Sequence, residues 1–110
     1  MRHPDRHGAL EDALENLAIL RQHLTMGDLD QPIVIDAVSR RLEAAIESLN
    51  DAGVGVDLFG SMWPAIRGLR NRLAHGYTDA DPEIIRNTIK YDLDEFEATI
   101  RRAFEDPDWR

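Results

Sequence analysis

The segment from Gly68 to Tyr77 gathers basic, titratable and aromatic side chains within ten positions. Arg70 and Arg72 carry a permanent positive charge, and His75 can exchange a proton near neutral pH. A histidine can act as both acid and base, and the planar guanidinium of arginine binds phosphate through paired donors. These residue types suit cleavage of a phosphodiester that supplies its own 2′-hydroxyl nucleophile, a reaction that requires no metal ligand set.

The charge around this segment differs in sign from that of the whole chain. Positions 58–78 contain no acidic residue and three arginines, Arg67, Arg70 and Arg72, whereas the chain has a net charge of −8, which leaves −11 for the other residues. A positive segment in an acidic protein attracts a phosphate locally, while the rest repels long polyanions. The alternative is a solvated face of arginines that balance nearby acids. The charge pattern alone leaves both alternatives open.

Length and composition limit the classes of protein. With 110 residues and no cysteine, the chain is predicted to be a single domain, residues 1–110, stabilised by packing and not by disulfides. No apolar run approaches the roughly 18 residues of a membrane span, so we expect a cytoplasmic protein with no membrane association. The histidines lack a metal-ligand spacing, and we expect neither a metal nor a cofactor. Residues 1–8 and 105–110 are expected to fray.

Four stretches have apolar residues at spacings of three and four, which predicts four amphipathic helices. The predicted helices are 10–24, 32–50, 63–75 and 82–104. Gly76 is a suitable residue to end the third helix, and Asp81 followed by Pro82 is a strong start signal for the fourth. Short loops between such helices favour an all-α, antiparallel up-and-down four-helix bundle, and its remaining apolar edge favours a homodimer.

Helical geometry also bears on the site. Arg70 and His75 are five residues apart, which separates them by about 140° around a helix of 3.6 residues per turn. They would converge only if two copies of the helix end met across a two-fold axis, so we predict a composite cleft. Alternatively, His75 is a helix-capping cation and Tyr77 a half-buried aromatic at the bundle end. Glu47 is either a rim salt bridge or a partner of Arg70 or Arg72.

The run Arg70-Asn71-Arg72-Leu73-Ala74-His75-Gly76-Tyr77 resembles the R-x4-H-x-Y signature of HEPN-domain ribonucleases, and more closely that of HepT-like toxins. The similarity covers about residues 32–104. It includes Arg41-Leu42-Glu43, Glu47, Trp63, Gly68-Leu69 before the signature, and Asp81-Pro82-Glu83-Ile84-Ile85. The chain departs from the family pattern at Ala45-Ile46-Glu47, where a glycine usually precedes the acid.

The resemblance implies a helical homodimer that cleaves RNA in a cleft at its interface without a metal. By this resemblance Arg70 and His75 are catalytic and Asn71 supports them. Arg67 and Arg72 belong to the same positive segment, and we expect them to contact the RNA.

The resemblance also implies a partner. Such toxins are encoded beside a minimal nucleotidyltransferase of the MNT type, which neutralises them by attaching AMP to the tyrosine of the motif, here Tyr77. The added bulk and negative charge would block a phosphate-binding cleft. Two other hypotheses stay open: a non-catalytic helical subunit that binds the nucleotidyltransferase or a nucleotide, and a plain dimerisation module, which would leave the cluster from Arg70 to Tyr77 unexplained.

Overall fold

The computed structural model describes residues 5–75 and 81–109, and this part of the chain contains helices and no strand. The helices are α1 (Arg6–Leu24), α2 (Pro32–Asp51), α3 (Gly55–Phe59), α4 (Trp63–Ala74), α5 (Pro82–Asn87) and α6 (Leu93–Glu105). Within the bundle α1 packs against α2 and α6, and α2 also packs against α4. The predicted all-α class is confirmed, and the packing is that of a helical bundle.

The core is built from the apolar faces that periodicity predicts. Most of the large side chains with almost no exposed surface come from α1, α2 and the chain after Asp81; they include Leu10, Leu17, Leu20, Ile46, Leu49, Ile85 and Ile100. Because these residues recur at helical spacing, each helix can be stable only with its apolar face against its neighbours. The core thereby fixes which face of each helix remains available for chemistry.

The ends of the described chain are tied to the bundle. Asp5 caps α1 by accepting a hydrogen bond from the backbone N–H of His7 at 3.2 Å, so α1 starts before the predicted Leu10. The ring of His7 stacks on Phe104 of α6 with a centroid distance of 4.4 Å. Residues 6–8 and 107–109, for which we expected fraying, lie in α1 and in a 3-10 turn (Pro107–Trp109).

The connection between α2 and α4 is helical where the sequence indicates a loop. The short α3 and a 3-10 turn (Gly60–Met62) lead directly into α4. A side chain at Gly55 would collide with the indole of Trp63, so only glycine allows α3 to approach the start of α4 this closely. Phe59 stacks on both Trp63 and Phe96, at centroid distances of 6.1 and 5.1 Å, which joins α3, α4 and α6.

The predicted fourth helix is one helical rod with an irregular centre. A π-helical turn (Thr88–Asp92) joins α5 to α6. Ile85 and Leu93 are both buried although they are eight residues apart, a spacing that over-rotates a regular α-helix by about 80°. The wider i→i+5 turn absorbs this drift and returns Leu93 to the core side of the rod.

Candidate active site

The C-terminal half of α4 carries most of the predicted site. Pro64 lies in the first turn of this helix, where its missing N–H removes no helical bond, as predicted. The helix continues to Ala74, and His75 is its C-cap, with a backbone N–H that donates to the carbonyl of Arg72 at 3.3 Å. The His75 side chain is exposed at the C-terminal end of α4.

Arg70 faces α2 and is paired there with Glu47. Its Nε lies 2.9 Å from Oε2 of Glu47, and only 24% of the Arg70 side chain is exposed. The same Nε is buried and lacks an aligned hydrogen bond within the described residues, so the contact is an ion pair with poor hydrogen-bond geometry. Glu47 is therefore the ion-pair partner of Arg70, which is one of the alternatives that the sequence left open.

The environment of Glu47 is unusual for the acid of an ion pair. Burial raises the pKa of Glu47, and the neighbouring carboxyls of Asp51 and Glu43 raise it further. Only the Arg70 guanidinium opposes this rise in the pKa of Glu47. Glu43, Glu47 and Asp51 are spaced by four residues, so they share one side of α2 and repel one another. The folded structure therefore disfavours the ionised form of Glu47, the carboxyl group that lies against Arg70.

The other polar residues of α4 lie away from this pair. Arg67, Asn71, Arg72 and His75 are all exposed to solvent. By helical rotation they spread over about 140° of the surface, and Arg70 lies outside this arc on the side that faces α2. One copy of α4 therefore presents Arg70 and His75 in different directions. Gly76 and Tyr77 lie outside the described residues.

A concave apolar surface of about 750 Å³ lies beside α4, and we call it the α4–α6 groove. Its walls come from α2, α3, α4, α6 and the π-helical turn, and its polar rim includes Arg72, Asp92 and Glu95. The apolar lining includes Leu58, Phe59, Met62, Ile66, Leu69 and Phe96. Met62 is 65% exposed at its edge although it is a large apolar residue. This groove was not predicted, because its shape depends on how α3 and α6 pack around α4.

A second concavity, of about 450 Å³, is acidic. It lies between the start of α1 and the end of α2, and its lining includes Asp5, Glu11, Asp12 and Asp51. Acidic walls repel a phosphate backbone, so an anionic substrate is directed away from this side. Within residues 5–75 and 81–109 no three acidic or histidine side chains form a cluster that could hold a metal ion. None of the helices in these ranges could cross a lipid bilayer.

The family model for Ribonuclease HepT-like matches residues 10–103. The chain belongs to the HepT-like ribonuclease family. The match confirms the resemblance found at the arginine and histidine motif, and it extends the similarity to α1, which precedes the 32–104 region. The HepT-like assignment indicates a ribonuclease of the toxin type, with RNA as its substrate. No curated protein and no solved structure matches the chain.

Proposed function

We propose that this HepT-like chain is a metal-independent endoribonuclease and the toxin of a HEPN/MNT toxin–antitoxin module, acting in the cytoplasm. The observation that carries the proposal is the placement of the motif on α4. A guanidinium is held against α2 by Glu47, and a histidine stands exposed at the helix end. A fixed cation and a mobile proton carrier are the two groups that cleavage of RNA by its own 2′-hydroxyl requires.

In the proposed reaction His75 accepts the proton of the 2′-hydroxyl. The 2′-oxygen attacks phosphorus, the bond from phosphorus to the 5′-oxygen breaks, and a proton returns to that leaving oxygen. The products are a 2′,3′-cyclic phosphate and a 5′-hydroxyl. Arg70 stabilises the charge that accumulates on the phosphate oxygens, Asn71 supports the pair, and Arg67 and Arg72 hold the adjoining RNA.

A second copy of the chain completes this site in our proposal. Arg70 and His75 diverge on one α4, so an arginine of one subunit must meet the histidine of the other. The α4–α6 groove suits a second copy because most of its lining is apolar, including Leu58, Phe59 and Leu69, and one chain leaves it uncovered. A two-fold axis would let the same apolar surface of both copies meet. Met62 supplies an exposed apolar contact at the edge of the groove.

The proposed dimer is tested with two matched substitutions. Met62→Asp places a charge at the groove edge, and because Met62 is the N-cap of α4 without a side-chain cap bond, aspartate should preserve the helix. Ile33→Asp changes a residue that is 83% exposed at the start of α2, outside the groove. Sedimentation velocity should show a dimer for wild type and Ile33→Asp and a monomer for Met62→Asp. A dimer in all three would contradict the use of this face.

The proposed activity is tested by incubating the purified chain with RNA in the presence of EDTA. Wild type should cleave, and Arg70→Ala and His75→Ala should each reduce kcat by at least about 100-fold, the lower end of the range for loss of a general acid–base or an electrostatic group. Arg101→Ala, which removes an exposed arginine of α6, is the control and should cleave normally. Cleavage that survives both motif substitutions would rule out this mechanism.

The proposed regulation is adenylylation of Tyr77 by a partner nucleotidyltransferase of the MNT type. Supplying that enzyme and ATP should add one AMP to a peptide that contains Tyr77, as measured by mass spectrometry, and should stop RNA cleavage. Tyr77→Phe should escape modification. Tyr91→Phe, at a tyrosine that is 68% exposed on the π-helical turn, should remain modifiable. An unmodified Tyr77 peptide under these conditions would contradict the proposal.

A second candidate function is a non-catalytic subunit that binds the nucleotidyltransferase or a nucleotide. The net charge of −8 favours it, since the chain as a whole repels RNA. The RNA assay separates the two candidates, because the subunit would bind the transferase and leave RNA intact. Expression in cells of wild type and His75→Ala, with growth and RNA integrity measured together, separates them in vivo.

A further inference from the structure

Among the described residues a single carboxylate approaches the Arg70 guanidinium. Glu47 lies at the Nε side, 2.9 Å away, and within the described residues it is the only carboxylate in ion-pair distance of Arg70. A guanidinium has donors on more than one edge, so a carboxylate at one edge leaves the other available to a phosphate.

We infer that Glu47 is a positioning residue that orients Arg70 for phosphate binding, an inference that rests on the proposed RNA cleavage. An unrestrained arginine samples many rotamers, and ordering it at the moment of binding costs conformational free energy. Glu47 lies on α2 and Arg70 on α4, two helices that pack directly against each other. The pair therefore ties the orientation of the guanidinium to the rigid bundle before the substrate arrives.

The surroundings of Glu47 support a functional pair over a purely stabilising one. Asp51 and Glu43 flank Glu47 on the same side of α2, and partial burial adds to their effect, so the folded structure disfavours its negative charge. Two acids one turn away on either side reduce what Glu47 can contribute to the stability of the bundle. Conflicts between local electrostatics and stability are expected where a residue serves the site.

The first experiment compares RNA cleavage by Glu47→Ala and Glu47→Gln with that of a matched control, Glu97→Ala. Glu97 also makes an interhelical ion pair with an arginine, Arg21, at 2.7 Å, and is more buried than Glu47. We expect Glu47→Ala to lower kcat by about 10- to 100-fold, as for a displaced catalytic group. Glu47→Gln should restore part of the loss, because its amide oxygen keeps the size of the carboxylate and a partial negative charge beside Nε. Glu97→Ala should lower the melting temperature and leave kcat unchanged.

The second experiment needs no cleavage. The Arg70 Nε–H resonance is followed by NMR while an uncleavable 2′-deoxy oligonucleotide is added. In wild type this proton should be protected from exchange and should respond to the oligonucleotide. In Glu47→Ala the protection should disappear and the oligonucleotide should bind at least several-fold more weakly.

The outcomes separate this inference from the proposed function. A wild-type chain that binds the oligonucleotide but cuts no RNA would defeat the proposed activity, while weakened binding by Glu47→Ala would still support orientation of Arg70. Wild-type kcat in Glu47→Ala would overturn the inference. The inference would also be overturned if Glu47→Ala and Glu97→Ala lost kcat in the same proportion to their loss of melting temperature. That result is expected of a purely structural ion pair. An unprotected Nε–H in wild type would overturn it as well.

Discussion

At the scale of single residues, the two ends of the motif occupy environments that match different tasks. Arg70 is mostly buried and fixed between two helices, whereas His75 is exposed at the C-terminus of α4. A cation that stabilises charge benefits from a fixed position, because reorganisation during the reaction is then small. A proton carrier must reach both substrate and solvent. These two environments are compatible with the proposed electrostatic role of Arg70 and the proposed proton transfer by His75.

Glu47 should make folding less favourable as the pH rises from the ordinary glutamate pKa, about 4.3, to the raised pKa of Glu47 in the fold. In this window the folded state binds more protons than the unfolded chain, so the free energy of unfolding falls with increasing pH. Glu47→Gln removes this contribution. Urea unfolding of wild type and Glu47→Gln across this pH window measures the effect. As the pH rises, the free energy of unfolding of wild type should decrease relative to that of Glu47→Gln.

The groups that face Glu47 provide the internal control for this prediction. Asp51, which also lines the acidic cleft beside Glu11 and Asp12 of α1, raises the pKa of Glu47, and Arg70 of α4 lowers it. NMR titration should show the pKa of Glu47 decreasing in Asp51→Asn and increasing in Arg70→Ala. A Glu47 pKa at or below the ordinary value in wild type would mean that Arg70 outweighs burial and the neighbouring acids, against this prediction.

At the scale of secondary-structure elements, periodicity predicts the long helices because burial of one face determines their formation. The apolar residues of α2 recur at spacings of three and four, and the structure buries Ile35, Val38 and Leu42 as expected. Periodicity cannot predict α3, since five residues are too few for a repeating pattern and its position depends on the contact of Gly55 with Trp63. The π-helical turn is likewise a tertiary effect.

The same distinction applies to the candidate site. Helical period alone predicts that Arg70 and His75 diverge, because the angle between them depends only on their spacing. The choice of Arg70 over Arg72 as the partner of Glu47 depends on how α4 is rotated against α2, which no local pattern encodes. The α4–α6 groove requires several elements in register, so neither it nor its rim charges could be predicted from the sequence.

One arginine, Arg21, should contribute measurably to the contact between α1 and α6. Arg21 of α1 donates from Nε to Glu97 and from Nη2 to Asp94, both at 2.8 Å. Both acceptors lie on α6, so these hydrogen bonds connect the two helices. Arg21→Ala should lower the free energy of unfolding by about 1 kcal/mol, because it leaves the partly buried Glu97 without its aligned donor. Arg101→Ala removes a longer, exposed contact to the same Glu97, at 3.7 Å, and should have almost no effect. Equal losses in urea unfolding would contradict this assignment.

Substitution of Gly68 should have opposite effects on the stability of the single chain and on the stability of the dimer. It lies inside the helix and lines the α4–α6 groove, and a Cβ there would meet no described atom within 4 Å. Gly68→Ala should therefore stabilise the isolated chain by about 0.5–1 kcal/mol through helix propensity. If a second copy packs on the groove, the added methyl group should weaken the dimer by about 1–3 kcal/mol through overpacking.

Thermal unfolding of Gly68→Ala in the Met62→Asp background measures the first effect, and sedimentation equilibrium of Gly68→Ala alone measures the second. Opposite signs are expected. A dimer that is unchanged or tightened by Gly68→Ala would show that the second copy does not approach α4 at this position.

At the scale of the whole molecule, the charge distribution restricts how RNA can bind. The positive charge of positions 58–78 is concentrated on α4, while the cleft between α1 and α2 is acidic. An acidic molecule with one basic helix binds a phosphate strand locally and repels it elsewhere. Pairing two copies would double the basic contribution and keep both acidic clefts. We therefore expect the assembly to bind a short stretch of RNA and not to coat a long one.

This arrangement predicts a modest dependence of RNA binding on salt. Single strands release about 0.7 counterions per neutralised phosphate, so the three arginines of one α4 correspond to a slope of about −2 in log K against log salt, and those of a dimer to about −4. Binding is measured with His75→Ala, which keeps the arginines but should not cut the RNA. Arg67→Gln and Arg72→Gln in that background should each reduce the slope by about 0.7 for every contact removed, and Arg101→Gln should leave it unchanged.

The value of the slope then reports on the assembly as well as on the contacts. A slope near −2 both with Met62 unchanged and with Met62→Asp would mean that one subunit binds RNA alone. That result would contradict a composite cleft. A slope near −4 that falls to about −2 in Met62→Asp would indicate that both α4 helices contact the same strand. A slope close to zero would contradict phosphate binding by α4, because three exposed or half-buried arginines cannot neutralise phosphates without releasing counterions.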